Sequence, residues 1–292
     1  MLRALKKSKG LVYFEKYLNS FISTILGEKR YSKIKSYFLF KLVKKEVKPK
    51  QIKDYLKNLY PYKTNVNLIR IGSSGDGGYL VPDDFKGVVA IFSPGVSTNW
   101  SFEENCLLKG IKKAYLADGS VNPKIDNNQI NFLNKFIGKS KSKNFITLEN
   151  WIKENKIPKN KDLMLQMDIE GWEYNVIETT SVNTLKQFRI ILIEFHDLQF
   201  LPEKAFFNKF RRVMDKLLEN HYVLHIHPNN MGYTKKYGNL NLNPVLEFTF
   251  LRKDRVKFKE FETKFPHSMD VKNIKNNPEV NLSKDFYNYK NI

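Results

Sequence analysis

The chain has 292 residues, 41% hydrophobic and 14% aromatic. That is enough to bury one large core and too much for a disordered protein, and no apolar run approaches the ~18 residues of a membrane-spanning helix. The net charge of +20 is uneven: residues 1 to 60 hold sixteen Lys and Arg against four Asp and Glu, and the lysine-dominated excess comes without arginine forks, stacking aromatics or an RNA- or DNA-binding motif, so nucleic acid is not the expected substrate.

Residues 11 to 26, LVYFEKYLNSFISTIL, place Leu11, Phe14, Leu18, Phe21 and Ile25 at helical spacing. A second amphipathic stretch runs from Ile34 to Val43 and a third helix from Pro49 to Tyr60, closed by Pro61. This basic helical extension, residues 1 to 60, reads as a cap packed on the main domain or on a partner subunit, including a second copy of the chain. The alternative is a helical pair lying on an anionic membrane surface. A linker is expected near residues 58 to 66, and the main domain over residues 61 to 292. The start, MLRALKKSKG, has no apolar stretch leading to a small-residue cleavage site, and the single cysteine, Cys106, allows no internal disulfide. A cytoplasmic protein, in peripheral contact with a membrane if the second reading of the helices holds, is therefore expected.

Short apolar runs then alternate with helical stretches. Strands are predicted at Val88 to Ser93, Lys113 to Asp118, Asn144 to Glu149, Asp162 to Asp168, Arg189 to Phe195, Tyr222 to His227 and Val245 to Arg252. Crossover helices fit Ser101 to Gly110, Glu170 to Glu178 and Glu203 to Asn220. Runs buried on both faces and separated by helices predict an α/β fold with a doubly wound, parallel sheet. The last two strands, joined by a loop without a helix, predict an antiparallel hairpin at its end.

Ligands of such sheets bind outside the carboxyl ends of the strands. The first strand leads into SPGVSTNWSFE, a tight turn around Gly95, and the second ends at Asp118 with Gly119 after it. A glycine turn followed by an acid about two dozen residues later suits an adenosine cofactor, although the turn is not GxGxxG. Later strands deliver Asp168 with Glu170, then Glu194 and His196, then His225 and His227, and Glu247 approaches the same edge if its strand is antiparallel. Residues two apart on a strand share a face, so these acids and histidines are expected to converge.

MDIEGWE (Met167 to Glu173), IEFH (Ile193 to His196) and HIHPNN followed by LEFTF resemble the FkbM family of S-adenosylmethionine-dependent O-methyltransferases. RIGSSGDGGYLVP (Arg70 to Pro82) and FPHSMDVKN (Phe265 to Asn273) are similar to one branch of it. The resemblance implies a Rossmann-like class I methyltransferase sheet and S-adenosylmethionine as cofactor. It also implies that Gly77 and Gly78 permit close backbone approach, that Asp76 and Tyr79 line the cofactor or acceptor pocket, and that Gly95, Asp118, Ser93 and Glu103 hold the cofactor. The turn FSPGVS departs from the family pattern, which usually has an acid at the strand end and a second glycine.

Two mechanisms follow for proton removal from an acceptor hydroxyl. In one, His225 or His196 is the general base, oriented by a carboxylate. In the other, Asp168, Glu194 and a histidine, with His225 the candidate, ligate Mg or Mn; adjacent acids would otherwise need a proton between them. The expected acceptor is a sugar hydroxyl, on a nucleotide-activated sugar for a surface glycan, with Lys124 and Arg70 near its phosphates. The competing readings are an inactive scaffold of the same fold and an NAD-dependent dehydrogenase. Glu170 and Gly171 are expected to serve the turn into the next helix.

Overall fold

A computed structural model describes residues 47–287. The helices expected at residues 11 to 26 and 34 to 43 lie outside the described residues. Helix α1 (Pro49–Leu56) opens with proline in its first turn, where a missing N–H is no loss. Its buried Ile52, Tyr55 and Leu56 pack into the main core, and the Tyr55 hydroxyl donates to Asp215, 2.7 Å away. The expected linker is instead a 3-10 turn, Lys57–Leu59, and strand β1 (Tyr62–Thr64). From Val47 onward the chain forms one compact unit.

Strands β2 (Leu68–Gly72) and β3 (Gly78–Pro82) form a hairpin around the DGGY motif, where no strand was predicted. After β4 (Val88–Pro94) come α2 (Ser101–Leu108), β5 (Lys113–Ala117) and β6 (Ile130–Leu133). The strand expected at Asn144 to Glu149 shrinks to β8 (Phe145–Ile146), paired with β7 (Phe136–Ile137) outside the main sheet. The reason is local: Thr147 Oγ1 accepts the Asn150 N–H at 3.1 Å, so this residue caps helix α3 (Leu148–Glu154) rather than extending a strand.

The chain continues through β9 (Asp162–Met167), α4 (Glu173–Thr179), α5 (Val182–Gln187), β10 (Phe188–Phe195), α6 (Lys204–Leu218) and β11 (His221–Pro228). Two short strands, β12 (Lys235–Tyr237) and β13 (Leu240–Leu242), precede β14 (Leu246–Arg252), and β15 (Lys259–Phe261) pairs back with β1. The main sheet has seven strands in the order β11-β14-β10-β9-β4-β5-β6. Its pairs from β10 to β6 are parallel, and β14 runs antiparallel to both β10 and β11. This is a mixed α/β fold with a large, mostly parallel central sheet.

Alternation along the strands feeds two cores, one on each face: Ala90 and Phe92 of β4 enter one, Val88 and Ile91 the other. At the amino ends of the strands, buried Arg189 bonds Asp162 (2.8 Å), which also pairs with Arg252 (2.6 Å). The carboxyl ends are thereby left to the acids and histidines of the motifs. Among the described residues, no helix is long and apolar enough to cross a membrane.

Candidate active site

Parallel strands starting at one level end at one level, and β4, β9 and β10 bring the β4 turn, Asp168, Glu194 and His196 to a common edge. The β4 turn touches the end of β9. Pro94 O accepts the Asp168 N–H at 3.2 Å, and a Cβ on Gly95 (φ +89°) would lie 1.6 Å from Asp168 O. Only glycine fits there. The Gly95 N–H also donates to Ala117 O of β5, at 2.8 Å.

A cavity of about 280 Å³ opens at this junction, lined among others by Asp76, Gly77, Tyr79, Gly95, Glu103 and Asp168. Its walls combine the backbone of the turns with the carboxylates of Asp76, Glu103 and Asp168, the rings of Tyr79 and Phe102 and the amide of Gln166. Asp118 stands behind it: Oδ2 accepts the Ser97 N–H (2.9 Å) and Oδ1 the Ser120 N–H (2.8 Å), so this acid holds the β4 turn in shape. Ser93 is fully buried and does not line the cavity. Gly78 and Gly119 do not line it either. A Cβ on Gly78 would strike Ser73 O and the Arg70 guanidinium, and one on Gly119 the Phe136 ring. The close approach these glycines permit is therefore to their own chain. Arg70 Nη2 donates to Ser73 O (3.2 Å) and Gly75 O (3.1 Å), which turns it toward the hairpin rather than toward a ligand phosphate.

Burial pushes the Glu103 carboxyl up from 4.5 to about 7, with Ser93 opposing. A carboxyl that holds its proton more tightly when folded makes the protein lose stability as pH rises through the window from 4.5 to 7. Glu103→Gln removes that loss. Its melting temperature relative to wild type is expected to be higher at pH 8 than at pH 5, by a free-energy difference on the order of 3 kcal/mol. A pH-independent difference in thermal denaturation would show that the carboxyl is not held this way.

Beside the cavity, His196 Nδ1 donates to Glu173 Oε1 at 3.2 Å. That oxygen also accepts the N–H groups of Ile169 (3.0 Å) and Gly171 (3.1 Å). The turn role expected of Glu170 thus belongs to Glu173, while Gly171 (φ +95°) does serve the turn. Glu170 is exposed and places Oε2 3.4 Å from His196 Nε2. The same Nε2 faces Glu194 Oε1 at 3.6 Å and Asp168 Oδ1 at 3.9 Å. Asn229 donates to Glu194 Oε1 at 3.1 Å, leaving Asp168 Oδ1 and Glu194 Oε2 buried without hydrogen-bond partners.

Burial lifts Asp168 to about 7, opposed by His196 and reinforced by Glu170 and Glu173. Glu194 rises well above the usual carboxylate range, through burial first and then the charges of Asp168 and Glu247. Burial opposes charge on His196, but the Glu173 bond and the neighbouring acids outweigh it and push the imidazole up to about 9. Crowded acids retain protons that a cation can displace.

The expected trio Asp168, Glu194 and His225 is not formed. His225 Nε2 donates instead to Asp270 Oδ1 at 2.8 Å, and a cluster of His225, His227 and Asp270 stands apart from one of Asp168, Glu173 and His196. His196 takes the histidine position at the Asp168 end. Glu247 lies between the two groups, opposite Glu194 on β10 and His227 on β11. Its carboxyl accepts from Asn273 Nδ2 at 2.6 Å, which also reaches Asp76 Oδ1 at 3.3 Å. Glu173, Asp270 and Asn273 all sit inside motifs that had been singled out, without a role for these positions.

A mostly parallel sheet with its acids gathered beside a glycine turn at the strand ends is consistent with a methyltransferase-type α/β fold. Residues 107–233 match the family model for the methyltransferase FkbM domain, so the part of the chain that carries β5 to β11 belongs to that family, as its motifs had indicated. No curated protein matches the chain.

Proposed function

We propose that the chain transfers the methyl group of S-adenosylmethionine to a hydroxyl of a sugar, carried on a nucleotide and destined for a surface polysaccharide. The observation that carries the reading is that Asp168 belongs both to the wall of the cavity and to the cluster around His196. A cofactor pocket and a proton-accepting group then share one residue. The cavity fits the cofactor: the β4 turn from Gly95 to Asn99 lines it, and Asp76 and Glu103 complement a cation. Bound there, S-adenosylmethionine supplies an electrophilic methyl carbon on a positively charged sulfur.

The chain's own contribution is positioning and proton transfer. Glu173 fixes the imidazole of His196, which presents Nε2 toward Asp168 and Glu194. An imidazole pushed up to about 9 is charged at neutral pH and orients the acids; it is not the base. Asp168, lifted to about 7, takes the proton of the acceptor hydroxyl as that oxygen attacks. The unpartnered oxygens of Asp168 and Glu194 also fit Mg²⁺ or Mn²⁺, whose Lewis acidity would lower the pKa of a bound alcohol. A sugar suits this edge because the carboxylates of Asp76 and Asp168 and the amides of Asn99 and Gln166 line the cavity and offer hydrogen-bond partners to several hydroxyls.

The test is a cofactor-consumption screen against nucleotide-activated hexoses and heptoses, with and without Mg²⁺. Turnover on none of them, or calorimetry showing tight binding of NAD and none of S-adenosylmethionine, would sink the reading. Asp118→Ala is expected to weaken S-adenosylmethionine binding about 10- to 100-fold by calorimetry, since it releases the Ser97 N–H and the turn it holds. Unchanged affinity would remove Asp118 from the cofactor site.

A further inference from the structure

We propose that His225, His227 and Asp270 form a binding site for a divalent transition ion of the zinc type, separate from the Asp168 cluster. One ligand atom from each of the three lies within 4.8 Å of the others. The two histidines are two apart on β11 and therefore share a face, with rings stacked at 18°. Asp270 arrives from the tail, and its Oδ2 accepts the His267 N–H at 2.8 Å, which aims the other oxygen at the histidines. Oδ1 then meets His225 Nε2 at 2.8 Å and His227 Nδ1 at 3.5 Å. Phe265 stacks on His225 and restricts its ring.

His227 argues for a ligand here. Its side chain is 14% exposed, yet neither ring nitrogen makes a hydrogen bond. A largely buried imidazole whose one neighbouring acceptor, Asp270 Oδ1, stays at 3.5 Å from Nδ1, and whose Nε2 has no hydrogen-bond partner, is costly unless something binds it. Two imidazoles and one carboxylate suit zinc and its neighbours in the transition series, whereas Mg²⁺ and Ca²⁺ prefer all-oxygen surroundings. The ion would fasten the tail to the sheet. Asn273, three residues beyond Asp270, bonds Glu247 and reaches Asp76 on the cavity wall, so the ion would also stiffen one side of the proposed cofactor pocket. The site does not depend on which acceptor is methylated, or on whether any is.

The experiment uses the full chain, freed of metal by a chelator, and titrates Co²⁺ while recording its visible absorption, with Zn²⁺ calorimetry alongside. Asp168→Asn serves as background because it weakens the other cluster. In that background one equivalent of Co²⁺ is expected to bind and develop the bands of a low-symmetry site. Adding His227→Ala or Asp270→Asn is expected to weaken binding about 100-fold or more, while millimolar Mg²⁺ should not compete. Absence of Co²⁺ and Zn²⁺ uptake in the Asp168→Asn protein would overturn the proposal without any reference to the double variants or their folding. So would equal affinity in a double variant that retains its circular dichroism spectrum.

Discussion

Asp168→Asn is expected to lower methyl transfer about 10³-fold while S-adenosylmethionine affinity changes by less than about threefold. The amide keeps the shape of the cavity wall, and the backbone N–H of the residue still bonds Pro94 O. What it loses is the group that accepts the proton and one of the charges facing His196 Nε2. Wild type should carry the matching pH signature. Because burial lifts Asp168 to about 7 against the pull of His196, and the carboxylate is the active form, the rate should rise with pH through about 7 and level off above it. The apparent value belongs to the coupled cluster rather than to one residue. Added Mg²⁺ should move this limb to lower pH, because a cation favours the deprotonated acids. Full activity in Asp168→Asn, in kinetics with any accepted sugar, would remove Asp168 as the base and with it the role given to the end of β9.

Features set by local periodicity were legible before the fold was known. His225 and His227 are two apart on β11 and share a face; Glu194 and His196 were expected to do the same, and although β10 ends at Phe195, His196 Nε2 still faces Glu194 Oε1 at 3.6 Å. Strand-end acids were expected at the carboxyl edge, and the parallel order of β4, β9 and β10 puts them there. Distinguishing the two histidine pairs was a different problem. Only the tail decides it, because Asp270 captures His225 from forty-five positions away, and a contact of that separation leaves no trace in hydrophobic spacing. The exchange of Glu170 for Glu173 is a matter of backbone direction. Glu170 has a φ of +54°, which swings its side chain out to solvent, whereas Glu173 begins α4 and folds back over the turn. Both read alike in MDIEGWE, since either carboxylate suits a helix start. Thr147 misled for a similar reason: a β-branched residue after Phe145 and Ile146 extends an apparent strand, but followed by Leu148 and Glu149 it is a helix cap.

Gly95→Ala is expected to destabilise the protein by on the order of 4 kcal/mol, a fall in melting temperature of roughly 10 °C for a domain of this size. Two effects add. The residue sits at φ +89°, where an L side chain is strained. The new methyl would also lie 1.6 Å from Asp168 O and 2.7 Å from Asp168 C, and backbone in a buried parallel sheet cannot move aside as a long side chain can. Gly110→Ala separates the effects, because Gly110 has a φ of +96° but nothing within 4 Å of its Cβ position. That variant bears the strain alone, about 1–2 kcal/mol, so the difference between the two measures the close approach. Equal losses in thermal denaturation would mean that the turn does not press on β9. The difference matters for chemistry as well as stability. The β4 turn lines the proposed cofactor pocket, and the residue it presses against is the proposed base, so relief of the clash has to push the end of β9 away from the turn. A Gly95→Ala protein rescued at low temperature should therefore bind S-adenosylmethionine weakly and also transfer methyl slowly when saturated with it, because a misplacement of about 1 Å between base and cofactor is costly to a displacement reaction.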